Sequence, residues 1–327
     1  PGDGPHTHLL SGGIDSRLVA AYLHKNGIQV STVTFGSPKD FEMRCAAAVT
    51  RKLGLPHRGM EVSYDDFVPD ALHIARWEHL TAGFQSIMDW TTHTAKSQGR
   101  TTSGYLVDWY MGGQDQVGPD YEDFLKHFAC LGLTRKELNF LLRKSVFGDS
   151  LDKVYAWIQA KYDDIPGDHI RKSNLFATSN HGRFHVGIGA WYMSFRGWPV
   201  LPALNGDFVN TCLSLPDETM GHPDYGVGWK RRAEKDLLIS RFPDLARLPI
   251  HRGGFNSKPH LISSTGTIKH GLESHWRRVK YLVTGIENRY GARLYAFNNP
   301  GWLAIRKKAE PQLRELSQLF DQKSFDA

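Results

Sequence analysis

Six consecutive residues, Ser11-Gly12-Gly13-Ile14-Asp15-Ser16, hold the densest chemistry in the chain. Glycines let a backbone approach a ligand closely, serines add hydroxyl donors, and a helix starting here would aim its first N–H groups and its dipole at the same spot. Such a concavity binds anionic oxygen of the phosphate kind. Asp15 is the odd member, because a carboxylate repels phosphate unless a cation lies between them. Mg²⁺ bridging Asp15 to phosphate oxygens resolves the conflict. A tight turn with Asp15 as a helix-start residue is the competing reading.

A strand must deliver this loop and a helix must receive it. Residues 7–10 read as a short first strand, and Leu18, Val19, Tyr22 and Leu23 recur at helical spacing until Asn26-Gly27. Residues 28–35 read as a second strand closed by Gly36-Ser37-Pro38, 41–53 as a helix stopped by Gly54, and 57–62 as a third strand. Residues 65–99 read as mostly helical. A poor strand at 100–104 then opens a loop that ends in Gly112-Gly113. This alternation predicts an α/β fold, a doubly wound parallel sheet with crossover helices. From about residue 120 the patterns lengthen into helices at 123–131, 135–147 and 151–162, and 248–268 has the Gly, Ser, Pro and His content of a mobile loop. The stretch 311–320 is amphipathic, with Leu313, Leu316, Leu319 and Phe320 on one face. No linker stands out, so one domain over 1–327 is expected, sheet-rich over about 5–120 and helical over about 121–327.

The glycine loop lacks the Lys-Ser/Thr ending of the Walker loop and the third glycine of the dinucleotide fingerprint. It resembles the pyrophosphate loop, S-G-G-x-D-S, of the ATP pyrophosphatases, matching every fixed position from Ser11 to Ser16. The resemblance implies an adenine nucleotide α-hydrolase-like fold. It also implies a chemistry in which ATP is cleaved between its α and β phosphates, AMP passes to a substrate oxygen, and pyrophosphate leaves. Adenylation gives a carboxylate a good leaving group and opens its carbon to a nitrogen nucleophile.

A second stretch narrows the family. Ser103, Gly104, Asp108, Gly112 and Gly113 stand at the offsets of the second signature of the asparagine synthetase synthetase domain, with Leu106 where the family has another glycine. The resemblance makes Asp108 the second carboxylate on Mg²⁺, opposite Asp15. By itself the stretch reads equally as a loop with Asp108 as a helix-start residue. Over roughly residues 7–265 the likeness continues. Thr34-Phe35-Gly36, Glu42, Arg44, Leu53-Gly54 and His57 are similar to the family's second strand and following helix. Residues 198–205 and Leu213-Ser214-Leu215-Pro216 are similar to its R-x-P-F-L-D segment and downstream L-P, with Val200, Ala203 and Asn205 replacing Arg, Phe and Asp. By this resemblance Leu10, Phe35 and Gly36 hold the adenosine, and Ser11 to Ser16 with Ser103 and Gly104 hold the pyrophosphate of ATP.

Ile250-His251-Arg252-Gly253-Gly254-Phe255 resembles the family loop in which a Lys contacts the phosphates; that position is Arg252 here. A guanidinium stabilises developing negative charge but does not give up a proton at neutral pH, so Lys258 is kept as a second candidate. Tyr105 occupies a place where asparagine synthetases usually carry Glu and the related β-lactam synthetases carry a Tyr that helps deprotonate an internal amine. With an ordinary pKa of ~10, a tyrosine base needs a carboxylate partner, and Asp120, Glu122, Asp123 and Glu137 are near in sequence. Simple packing is the alternative for Tyr105.

Composition fits this picture. With 40 Lys and Arg against 34 Asp and Glu the net charge is +6 over 327 residues, and no long run of like charge appears. The surplus suits a polyphosphate substrate, and nucleic acid is disfavoured as a partner. The apolar share of 40% and charged share of 23% exclude disordered and fibrous classes. Cys45, Cys130 and Cys212 lack C-x-x-C spacing, so neither a zinc site nor a disulfide framework is read and a reducing cytoplasm is the default. The sixteen histidines, among them His6, His8 and His251, lack metal-ligand spacing and are assigned surface or capping roles. Trp191, Tyr192 and Trp198 are read as packing residues. No apolar stretch is long enough for a membrane span.

The expected activity is ATP-dependent amide formation on a small-molecule or peptide carboxylate, with ATP and Mg²⁺ as cofactors and ammonia or an amine as nitrogen donor. An intramolecular cyclase like the β-lactam synthetases or lasso-peptide cyclases is the alternative. An RNA-modifying enzyme and an ATP-binding scaffold without turnover are further classes. Asparagine synthetases carry a Cys-led glutaminase ahead of the ATP domain, and this sequence starts at the ATP domain; a fragment of a longer protein with its glutaminase removed, a glutaminase on a separate subunit, and nitrogen taken from free ammonia or a substrate amine are the three alternatives.

Overall fold

The computed structural model describes residues 6–36, 38, 40–61, 63–78, 99–111, 120–128, 133–142, 144–180, 188–194, 197–216, 232–250, 275–276, 279, 283, 299–316 and 319. Strand β1 (His6–Leu9) runs into the glycine loop and α1 (Ile14–Lys25) leaves it. Asp15 in the first turn of α1 and His24 with Lys25 in the last match the helix dipole, and Gly27, at φ +69°, lets the chain turn away. β2 (Ser31–Phe35), α2 (Phe41–Leu53) and β3 (His57–Met60) follow, and Gly54 closes α2 in the left-handed region at φ +67°. After α3 (Phe67–Glu78) come β4 (Gly99–Thr102) and the short α4 (Val107–Tyr110).

The five strands among the described residues form one parallel sheet in the order β3-β2-β1-β4-β5, with β5 (Gly197–Val200) outermost. This is the doubly wound α/β arrangement of an adenine nucleotide α-hydrolase-like fold. From β1 the chain winds outward through β2 and β3, then returns to place β4 on the other side of β1. The winding direction therefore reverses between β1 and β4, the crevice where open α/β sheets bind ligands. Strand interiors are threonine-rich, so buried hydroxyls need partners. Thr32 donates to Pro56 O at 2.8 Å, and Thr34 donates to Leu10 O. β5 falls in the stretch expected to be helical. Its four residues include Gly197 and Pro199, which carry the signature of a loop, and a proline is tolerated there because the strand lies at the sheet edge.

The chain divides into two compact units, Pro1–Gln114 with Val186–Leu303, and Asp115–His185 with Ala304–Ala327. The second holds α5 (Tyr121–Phe128), α6 (Arg135–Leu141), α7 (Lys144–Phe147), α8 (Ser150–Asp163) and α9 (His169–Ala177). Phe124, Leu125, Tyr155, Ile158, Tyr162 and Phe176 form its core. A reciprocal cap between Thr134 and Glu137 starts α6. In the first unit α10 (Ile188–Ser194) precedes β5, and α11 (Gly206–Leu213), α12 (Arg232–Arg241) and α13 (Pro243–Ala246) follow it. The last helix is α14 (Pro300–Leu316), and Pro311 lies inside it rather than at the head of an amphipathic segment.

Helix α1 is buried on two sides. Ile14, Leu18 and Ala21 pack in one cluster with Leu10, Ala46 and Val49 and with Leu238, Leu245 and Ala246, while Val19 packs in another with Leu106, Val107, Met111, Ala203 and Cys212. Burial of a side chain such as Leu18 stabilises by about 1.5–3 kcal/mol, so α1 and the loop at its head are held on both flanks. No described helix is long and apolar enough to cross a membrane.

Candidate functional site

Gly12 turns the chain at φ +75°, and a Cβ there would lie 2.5 Å from the Cys45 Cβ and 3.0 Å from the Ala46 N of α2. Only glycine fits on both counts. Ser16 Oγ lies 3.2 Å from both Ser11 N and Ser11 Oγ, and Gly13 N donates to Ser11 Oγ at 3.3 Å. Gly13 is the first residue before α1, so the loop presents backbone N–H groups at a helix N-terminus, the arrangement that holds anionic oxygen. Asp15 is half-buried on the first turn.

The second signature loop leaves β4, the neighbour of β1, and touches the first. A Cβ on Gly104 would sit 2.6 Å from Ser16 N, 2.8 Å from Asp15 C and 2.9 Å from Asp15 Cβ. The two loops meet backbone to backbone, and only a missing side chain allows it. Ser103 Oγ accepts from Tyr105 N at 3.3 Å, and Val107 N donates to Gly104 O at 3.2 Å, so α4 grows directly from this contact with Asp108 half-buried on its first turn. Carboxylates such as these are hard oxygen donors of the type Mg²⁺ takes.

Leu106 adopts φ +64°, so this chain keeps a glycine-type backbone with a leucine. Its side chain joins Val19, Val107 and Met111 in the core, which offsets the strain of about 1 kcal/mol. Leu106→Ala keeps the strain and loses the burial, whereas Leu106→Gly loses only the burial. Ala is therefore expected to be the worse replacement by about 0.5–1 kcal/mol in urea denaturation, the reverse of the usual order.

Leu10 is 1% exposed and belongs to the core; its N–H donates to Val33 O at 2.9 Å and its carbonyl accepts from Thr34. Leu10 thus fixes the end of β1, and the side chain of half-buried Phe35 and the backbone of Gly36, which turns at φ +143°, are what β2 can offer a base. Tyr105 packs its phenol against α10, where a Cβ on Gly189 would lie 3.1 Å from Tyr105 Cζ and 3.3 Å from its Oη. Of the acidic residues near it in sequence, Asp120 accepts from Asp123 N, Glu122 pairs with Arg135 at 2.8 Å, and Glu137 caps α6. Asn205 caps α11 by accepting from Phe208 N at 3.1 Å, a role that Asn fills as well as Asp. Tyr192 is buried as expected, but Trp191 and Trp198 are exposed, Trp198 by 72%. Arg252, Lys258, His251, Gly112 and Gly113 lie outside the described residues. Among the described residues no cluster of three or more His, Cys, Asp or Glu is gathered for a metal.

His8, for which a surface or capping role is expected, is wholly buried. His8 Nε2 lies 2.8 Å from Ser16 O and Nδ1 lies 3.0 Å from Thr102 Oγ1. A carbonyl only accepts, so Nε2 carries the proton, and in the neutral ring Nδ1 accepts from Thr102. One imidazole thereby joins the start of α1 to the end of β4. Burial lowers the His8 pKa to about 4 from 6.5. The unfolded chain takes up this proton near pH 6.5 and the native chain refuses it until about pH 4, so stability falls as pH drops through that window. The loss is about 3 kcal/mol at most. Urea midpoints measured from pH 7 to pH 4 are expected to fall less steeply in His8→Gln than in the wild type, and parallel curves would remove this role.

Residues 2–95 match the model of the asparagine synthase family; the match takes in the first loop and ends before β4. Twenty-one solved chains match. One of them, described as a subunit of a tRNA methyltransferase from Methanocaldococcus jannaschii, is 20% identical over 37% of this chain and 61% of that chain, with a TM-score of 0.23. The alignment thus spans under two thirds of that protein. No curated protein matches.

Proposed function

We propose that the chain is an ATP-dependent, AMP-forming amide ligase: a substrate carboxylate attacks the α phosphate of ATP, pyrophosphate leaves, and ammonia or an amine displaces AMP from the acyl carbon. The observation that carries this reading is the contact at Gly104, which unites the two signature loops at the point where the sheet reverses direction. The asparagine synthase match over residues 2–95 supports it independently. In this reading the loop N–H groups and the Ser11 and Ser16 hydroxyls hold the pyrophosphate, and Phe35 and Gly36 face the adenosine. Asp15 and Asp108 hold Mg²⁺, which would neutralise the charge gathering on the departing oxygens. Arg252 or Lys258 supplies positive charge at the phosphates.

The test is exchange of labelled pyrophosphate into ATP across a panel of carboxylic acids. Exchange that depends on one acid is the expected result. ATP binding with no exchange for any carboxylate would leave a nucleotide-binding scaffold instead. An internal amine as nucleophile is the alternative within the same class of ligase, and the packing of Tyr105 against Gly189 lends it no support. Mass spectrometry separates the two, since cyclisation removes water from a single substrate and amidation replaces OH by NH₂.

A further inference from the structure

A guanidinium carries five donors in one plane and stays charged in proteins, so its complete burial demands partners. Arg17 on α1 is 0% exposed. Its Nη1 donates to Leu245 O at 2.9 Å and Leu248 O at 3.2 Å, and its Nη2 donates to Gly12 O at 2.9 Å and to Pro249 O. Its Nε finds no partner. All of these acceptors are main-chain carbonyls, and no carboxylate pairs with Arg17 among the described residues. Burial lowers its pKa to about 10, so it remains a cation at neutral pH.

Burying a charge without a counter-ion is costly, and a plain packing role would be met by an apolar residue. The geometry supplies the reason. The carbonyl of Gly12 and the N–H of Gly13 belong to one planar trans peptide and point in opposite directions. With the carbonyl held on Arg17, the Gly13 N–H faces the opposite way and donates to Oγ of exposed Ser11 at 3.3 Å, so that donor and hydroxyl are set together on the ligand side of the loop. The same guanidinium reaches the 245–249 segment, so one side chain fastens two stretches of chain more than 220 positions apart in sequence. Its charge also lies directly beneath the loop.

We propose that Arg17 is a positioning residue for polyphosphate: it sets the Gly12–Gly13 peptide to face the anion, ties the loop to the 245–249 segment, and adds positive field from below. This rests on reading the glycine loop as a pyrophosphate site. Lysine keeps the charge but cannot span four carbonyls; methionine keeps neither.

The test uses the full chain. Amide hydrogen exchange of the wild type without nucleotide is expected to show 10–16 and 245–250 opening together. In Arg17→Lys both segments lose protection while β2 and β3 keep theirs. MgATP and inorganic pyrophosphate are expected to bind about tenfold more weakly to Arg17→Lys, and MgATP about a hundredfold more weakly to Arg17→Met. A merely structural arginine would lower the melting temperature and leave the affinity of the folded protein unchanged, and that result overturns the proposal. So does independent opening of the two segments in the wild type, which decides the matter even where Arg17→Met fails to fold. Should the wild type bind neither MgATP nor pyrophosphate, the pyrophosphate-site reading itself falls; with wild-type binding intact, the Lys variant judges Arg17 alone.

Discussion

Asp15→Ala is expected to lower carboxylate-dependent exchange of pyrophosphate into ATP by roughly 10³-fold or more, with little change in thermal stability. Asp15 is half-buried on the first turn of α1, outside the two apolar clusters that hold the helix. The favourable charge at a helix N-terminus contributes about 0.3–1 kcal/mol of its part in folding. In the proposed reaction its part is that of a hard anionic ligand beside the phosphates. The separation between a large kinetic loss and a small stability loss is the signature to look for. Exchange at wild-type rate in a well-folded variant would sink both the metal role of Asp15 and the ligase proposal.

Gly104→Ala carries the second large effect, for a steric reason. The added methyl would meet Ser16 N at 2.6 Å and Asp15 C at 2.8 Å, and both atoms are main chain, so no side chain can rotate away. The loops must part by several tenths of an ångström or more. Overpacking of this kind costs about 1–3 kcal/mol of stability. A misplacement near 1 Å between groups that act together costs on the order of 10²-fold in rate. Exchange is therefore expected to fall about a hundredfold. Unchanged exchange would mean that the loops do not act as one site.

The first loop was legible because its glycines and its carboxylate stand between an apolar strand and a helical repeat, and α2 ran from Phe41 to Leu53 as its periodicity required. β4 is polar in sequence, Gly-Arg-Thr-Thr, and is read as a strand chiefly through the motif that follows it. β5 escaped notice because its proline and glycine mimic a turn, and only pairing with β4 makes it a strand. Leu106 shows a different limit. A leucine can hold a backbone conformation usual for glycine, and the residue type alone does not reveal it.

The supporting residues were harder to see than the loop itself. Arg17 carries no motif, but its helical neighbours Ala20 and Ala21, three and four positions on, are small apolar residues and both are fully buried. That pattern is the signal which could have found it. His8 has no such signal, because a four-residue strand is too short for alternation to reveal which faces are covered. In both cases the decisive partners are main-chain carbonyls, which no sequence motif encodes.

Cys45 lies against Gly12, wholly inside the protein, and burial pushes its thiol up to about 11. At neutral pH almost none of it is thiolate, the form that reacts with peroxide or alkylating agents. A thiol buried behind the glycine loop is thus chemically silent at neutral pH, and its alkylation in the folded protein is expected to be slow.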